Sequence, residues 1–380
     1  MIRQLSTIMI AMILLFSLNA CSSDADKAQT KPLTAVQNPA DLKVVWKGHT
    51  GNGNAQTDIN FSPVFAEDTL YTVSQNGNMV AYEAKNGRIR WQQKNKTRFS
   101  SAPTVGDGKL FVNGDAGELW VFDASNGKKL LSLELPNKSF SAPAYSNGTV
   151  LVKTIDEVTL AFNAEDGTLR WRYESDVPDM ILEGGSSPVI TNDIVVQGSA
   201  EGRVTLLTLD KGQLLWQRRL VEPEGISDIS RMVDIDADPL VKNDIIYVAS
   251  YQGKLVALDK FKAMPIWEHD LSTRNDLALT DSALFVSDAK GKIWAFNPTT
   301  GKVLWRQNNL SGRILTAPVV TGENIVVADN LGNVHWLSQS DGHFVARVLM
   351  DKKGISSTPV AEGNRVFVMS NKGAIVAYQL

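Results

Sequence analysis

The sequence predicts an all-β protein, an eight-bladed β-propeller of four-stranded antiparallel blades, and three observations lead there. The first is a repeat. A phrase that opens on glycine, turns on a second glycine and closes on tryptophan recurs about every 40 residues, as in Gly77-Asn-Met-Val-Ala-Tyr-Glu-Ala-Lys-Asn-Gly-Arg-Ile-Arg-Trp91 and Gly291-Lys-Ile-Trp-Ala-Phe-Asn-Pro-Thr-Thr-Gly-Lys-Val-Leu-Trp305. A period in this range is the mark of solenoids and propellers. The opening position falls at Gly77, Gly117, Glu157, Gly202, Gly253, Gly291, Gly332 and Gly373, which counts eight units. The second observation is a marker upstream of each unit, at Ser62-Pro63, Ala102-Pro103, Ala142-Pro143, Ser187-Pro188, Asp238-Pro239, Ala317-Pro318 and Thr358-Pro359; the unit near Asp276-Leu277 lacks the proline. The third is at the ends. The last unit stops at Leu380 one strand short, and a matching strand, Leu42-Lys-Val-Val-Trp46, stands alone at the other terminus. An N-terminal strand that completes the last blade closes a ring and removes its open sheet edges.

Each element of a unit has a local reason. In the first, Ser62 to Phe65 gives a short strand, Thr69 to Ser74 a second, and Gln75-Asn76-Gly77 a turn into Asn78 to Tyr82. Asn86-Gly87 then turns into the strand that ends at Trp91. Asn-Gly between β-rich runs marks a hairpin, because the type I′ turn needs positive φ at both central residues. β-branched and aromatic residues dominate the runs, and helical periodicity is hard to find anywhere past the N-terminal segment.

The repeats occupy 43–380, which makes one large domain. The formal charge of −3 and the absence of a basic stripe exclude a nucleic-acid partner. The four histidines, His49, His269, His335 and His343, are scattered without metal-ligand spacing, so they read as surface or core residues. No metal and no cofactor are expected.

Residues 1–20 read as a signal peptide: Arg3 supplies the charge, and Thr7 to Phe16 is an apolar run too short to span a bilayer as a helix. Leu18-Asn19-Ala20-Cys21 follows and resembles a bacterial lipobox, in which the cysteine is lipidated after cleavage. Cys21 is the chain's one cysteine. Residues 21–42, rich in Ser, Asp, Lys, Gln and Pro, hold too little apolar surface to fold alone and read as a flexible tether behind the lipid. Ser22 after the cysteine fits sorting to the outer membrane, on its periplasmic face.

Signs of catalysis are missing. There is no Gly-x-Ser-x-Gly elbow, no phosphate-binding Gly-rich loop, no His-Glu-x-x-His and no cysteine nucleophile. Asp234-Ile-Asp-Ala-Asp238 begins like an EF-hand loop, but Pro239 and Ile245 replace its essential Gly and Glu. The chain therefore reads as a non-enzyme.

Unit lengths point to a recognition surface. From Trp91 to Pro103 is 12 residues and from Trp305 to Pro318 is 13, but Trp171 to Pro188 is 17 and Trp216 to Pro239 is 23. Both enlarged connections flank the fourth blade and emerge on one face, where a rigid scaffold presents binding loops. The first carries Met180, Ile181, Leu182 and Glu183, the second Arg231, Asp234, Asp236 and Asp238. Apolar anchors beside charge suit a protein partner. The competing reading is that Met180 to Leu182 adds a short strand to the blade.

Two resemblances follow from these residues. Ala161 to Trp171, Ala-Phe-Asn-Ala-Glu-Asp-Gly-Thr-Leu-Arg-Trp, is similar to the tryptophan-docking repeat of quinoprotein dehydrogenases, in which the tryptophan packs on the next blade. That phrase is an architectural device and carries no cofactor; Leu131 and Ala346 replace the tryptophan in two units. The lipobox, tether and propeller together, with Arg231 to Pro239 and Leu315 to Val319, resemble the BamB family of the outer-membrane β-barrel assembly machinery. The resemblance implies a scaffold that binds the periplasmic POTRA domains of BamA, works with other subunits of the machinery and assists barrel folding, with unfolded outer-membrane proteins as further clients. Carried over by position, it puts BamA contacts at Met180, Leu182, Asp234 and Asp236; Glu183 stands where the family has a basic residue. The alternatives are a periplasmic quinoprotein dehydrogenase or ligand-binding propeller, and a WD40-like scaffold, which the secretion signal and the missing Trp-Asp endings oppose.

Overall fold

The computed structural model describes residues 30–37, 39–51, 60–175, 185–222 and 233–380. Every regular element there is a strand, and the strands form eight four-stranded antiparallel sheets. Seven sheets are built from consecutive strands, spanning 64–94, 104–134, 144–174, 189–219, 240–270, 278–307 and 319–349. The eighth takes three strands from 360–379 and its outer strand, Lys43–His49, from the N-terminal side. The expected clasp is thus present: Lys43 pairs with Gln379 and His49 with Ala374. Short inner strands of blades one to four touch in succession, as do those of blades six to eight, and that of blade eight touches that of blade one; hydrogen bonds from Ser187 to Asp238 and from Asp238 to Asp276 carry the ring through blade five.

What locks blade to blade is the outer strand. In each blade that strand skips one residue of its ladder immediately before the docking position, as at Arg90, Arg170 and Leu304. A bulge of this kind bends the strand and re-aims the following side chain. The indole then lies against the next blade and donates its N–H to a backbone carbonyl there. Trp91 donates to Ala124, Trp171 to Leu209 (2.7 Å), Trp216 to Lys260, Trp267 to Pro298 and Trp305 to Gln339. Trp46, from the N-terminal strand, makes the same bond to Ala84 of blade one at 2.8 Å. The clasp therefore joins blade eight to blade one by the same contact that joins the others.

The turn glycine of the repeat has a steric reason. At Gly212, with φ of +65°, a Cβ would stand 2.5 Å from the ring of Trp171. The two units without the tryptophan keep the volume by other means. In blade two, Leu131 and Leu133 fill the seam, with Leu133 over Gly167. In blade seven the large and small residues exchange strands. Elsewhere an alanine of the third strand faces the docking tryptophan (Ala161 opposite Trp171, Ala295 opposite Trp305), whereas here Trp336 faces Ala346. Trp336 is fully buried and meets Tyr378 of blade eight edge-on, with ring centroids 5.5 Å apart.

One expectation about the N-terminal segment needs refinement. Of the 21–42 region, the described residues from Thr30 onward lie against the propeller, with Leu33 and Leu42 packed on its apolar clusters.

Candidate functional site

Residues that precede the prolines of the repeat, among them Ser62, Ala102, Ser187, Asp238 and Thr358, line a central cavity of about 630 Å³ together with Asp276, which holds the same place before Leu277. Four of the blades are chained together along this wall by main chain to side chain bonds. The N–H of Ala142 donates to Ser187 Oγ (3.1 Å), the N–H of Ser187 to Asp238 Oδ1, and the N–H of Asp238 to Asp276 Oδ1 (2.8 Å). One step outward, Arg274 Nε donates to Asp236 Oδ2 at 2.8 Å, linking the same two connections again. Asp276 stands in the unit that lacks its proline, and its carboxylate is what the latch uses there.

Burial dominates the electrostatics. It pushes the Asp238 carboxyl well above the usual range, and the neighbouring Asp276 carboxylate adds to the push. Asp276 is raised by burial against the opposing bond from the Asp238 N–H. Asp236 is raised by burial as well, although Arg274 pulls it down. These carboxylates are spent on protein donors, and among the described residues no group of three or more His, Cys, Asp or Glu is placed to hold a metal.

Beside this wall lies a recess that brings together the ends of both enlarged connections: Gly185 and Ser186 of the first, Asp234 and Ile235 of the second. Lys153 and Glu157 of blade three close it. Lys153 Nζ stands 3.1 Å from Glu157 Oε2 and donates to the carbonyl of Gly198 in blade four at 2.6 Å. Glu157 also accepts from the Ala200 N–H. Glu157 holds a φ of +58°, the conformation that glycine serves in the sister units. A carboxylate that neutralises a buried lysine explains why this copy departs from the repeat.

The predicted contact residues divide accordingly. Met180, Leu182, Glu183 and Arg231 lie outside the described residues, as does Cys21. Asp234 and Asp236 are described and point inward, with Asp234 buried and the Asp236 side chain only 7% exposed. Val233, Ile235 and Ala237 are buried too, so the whole segment is a packed base beneath the second connection. Sequence reasoning missed Lys153, Arg274 and Asp276. Leu277 in the proline position marked Asp276, but nothing local marks a lysine that also reaches the carbonyl of Gly198 on the following blade.

A closed propeller whose buried Lys153, Asp238 and Asp276 join its blades, and whose long connections open on one face, defines a scaffold. The family model described as outer membrane protein assembly factor BamB matches residues 80–307 and 289–380. The chain belongs to this family. A relative from Alkalilimnicola ehrlichii named outer membrane protein assembly factor BamB is 38% identical, over 92% of this chain and 91% of its own. The crystal structure of BamB from Moraxella catarrhalis superposes with a TM-score of 0.81 at 26% identity, covering 90% of this chain and all of that one. A second family model, described as the β-propeller domain of glucose, ethanol and alcohol dehydrogenases, matches residues 21–107. Quinohemoprotein alcohol dehydrogenase from Comamonas testosteroni shares 12% identity at a TM-score of 0.71, over 89% of this chain and 76% of its own, a likeness of fold alone.

Proposed function

We propose that this chain is a non-enzymatic scaffold of outer-membrane protein assembly that docks on the periplasmic POTRA domains of BamA through the face carrying the connections 175–188 and 220–239. Met180 and Leu182 supply apolar anchors, and Glu183 and Arg231 the charged rim. Asp234 and Asp236 act from beneath, by fixing the base on which the second connection stands. Other subunits of the machinery and unfolded outer-membrane proteins complete the set of partners, and a lipid on Cys21, behind a signal peptide of residues 1–20, holds the propeller at the periplasmic side of the outer membrane. The observation that carries this reading is the meeting of both enlarged connections in one recess, at Gly185 and Ile235, on a rigid ring.

Affinity capture from detergent-solubilised envelopes tests it. Wild type should recover a BamA-type barrel protein, and Met180→Ala with Leu182→Ala should lose it while keeping the wild-type melting curve. Capture that survives both substitutions would remove the first connection from the interface, and recovery of no barrel protein by wild type would end the assembly reading. For the anchor, the intact mass of the membrane form should carry lipid, and Cys21→Ser should leave the protein in the soluble periplasmic fraction.

A further inference from the structure

We infer that the described residues 30–37 and 39–42 act as a strap that turns the face of the enlarged connections toward the membrane. The inference rests on Cys21 carrying the lipid.

The strap follows a definite course. Its start is held at the connection between blades six and seven: the Lys31 N–H donates to Ser311 O (3.1 Å) and Thr30 Oγ1 to Gly312 O (3.1 Å). That connection joins an outer strand to the next inner strand, so it opens on the same face as 175–188 and 220–239. The chain then crosses blade seven, with Leu33 packed on the cluster shared by blades six and seven. Near the opposite end of the outer strand Phe344–Leu349, the Ala40 N–H donates to Val345 O (3.0 Å). From there the chain reverses into the Lys43–His49 strand.

Two arginines grip the strap, and their surroundings say why they need it. Asp329 and His335 are fully buried, and Arg313 is 6% exposed. Arg313 Nη1 lies 2.8 Å from Asp329 Oδ2 and His335 Nε2 lies 3.0 Å from the same oxygen. Arg347 Nε donates to His335 Nδ1 at 2.9 Å, which makes that nitrogen an acceptor and puts the ring's proton on Nε2, facing Asp329. The cluster thus holds two guanidinium cations, a neutral histidine and one carboxylate. Backbone carbonyls of the strap receive the surplus donors, Thr34 O from Arg347 Nη1 at 2.6 Å and Lys31 O from Arg313 Nη2 at 3.5 Å.

The consequence is geometric. A free segment from Cys21 to Leu42 would reach about 70 Å and allow any orientation, whereas the residues before Thr30 reach only about 30 Å from the edge of one face. The opposite face lies farther by the length of a six-residue strand, about 20 Å.

Quenching by headgroup-nitroxide lipids in vesicles carrying the lipidated full-length protein reads this directly. With the chain's one native thiol lipidated, a fluorophore can be placed on Lys372→Cys, at the face of the enlarged connections, or on Ser340→Cys, at the opposite turns. Quenching should be several-fold stronger at Lys372→Cys, and Leu33→Asp, which alters the strap and no blade residue, should abolish the difference. Equal quenching in the wild-type background, stronger quenching at Ser340→Cys, or a difference that survives Leu33→Asp would each overturn the inference. Failure of the anchor itself is distinguishable, because the protein would then neither float with vesicles nor carry lipid mass, and the inference would fall with it. Slow amide exchange at Lys31 and Ala40 in wild type, lost in Leu33→Asp, checks strap docking independently of the membrane.

Discussion

Glu157 shows how much one side chain can hold in a ring. It occupies a glycine position, carries a positive φ, and neutralises a lysine that is 4% exposed. Removing one partner of a buried pair leaves the other charged and unsatisfied, so Glu157→Ala should lose about 3–5 kcal/mol of unfolding free energy in urea titrations. Asp238 provides a pH test. Its carboxyl is raised by burial and by the facing Asp276 carboxylate, so the folded chain holds this proton more tightly than the unfolded chain does. Stability from this latch is present in acid and is lost as pH rises through the folded pKa. Asp238→Asn keeps an oxygen to accept the Ser187 N–H and discards the charge. Its melting temperature should therefore gain on wild type as pH rises above the ordinary carboxylate value of 3.8, and a parallel pair of curves would refute the raised carboxyl. Neither residue could be assigned these roles from the sequence. Glu157 stood in the sequence only as the unit without its opening glycine and Asp238 as the end of an EF-hand-like run, because the groups that give them their roles, the Gly198 carbonyl and Ala200 N–H reached by the Lys153–Glu157 pair and the Ser187 N–H accepted by Asp238, lie on other blades.

At the level of the strand, the repeat was readable because each blade solves the same packing problem with the same bulge, indole and turn glycine. Where the sequence seemed to lose the motif, at Ala346, the structure moves the tryptophan across the ladder to Trp336 and keeps the volume. A pattern read along one strand cannot register an exchange between two. Trp336→Ala should cost about 3–5 kcal/mol, and adding Ala346→Trp to it should recover part of the loss, since the indole returns to the position used in the other blades. Gly212→Ala should lose about 1–3 kcal/mol, because its Cβ would meet the Trp171 ring at 2.5 Å in a left-handed backbone. The enlarged connections were equally legible as lengths. Their acidic residues were not, since composition alone does not say whether a carboxylate faces solvent or the next blade; here Asp236 faces Arg274.

Across the whole molecule, closure depends on the strand Lys43–His49 and above all on Trp46, which is 7% exposed, stacks on Tyr82 with ring centroids 5.4 Å apart and bonds to Ala84 of blade one. Trp46→Ala should lower the unfolding free energy by about 3–5 kcal/mol and should speed proteolysis at blades eight and one before the others, as measured by the order in which fragments appear.

The clasp also imposes a schedule. Its two strands lie at the extreme ends of the folded chain, so the pairing with the largest sequence separation is also the one that finishes the fold. In a chain delivered N-terminus first, Lys43–His49 emerges before any other strand and must wait, unpaired, until the final residues arrive. Seven blades can assemble in the meantime, each from its own neighbouring strands. A chain interrupted at any earlier point keeps an open seam and a strand with no partner, and that unfinished state is what a surveillance protease or chaperone could distinguish from the completed protein.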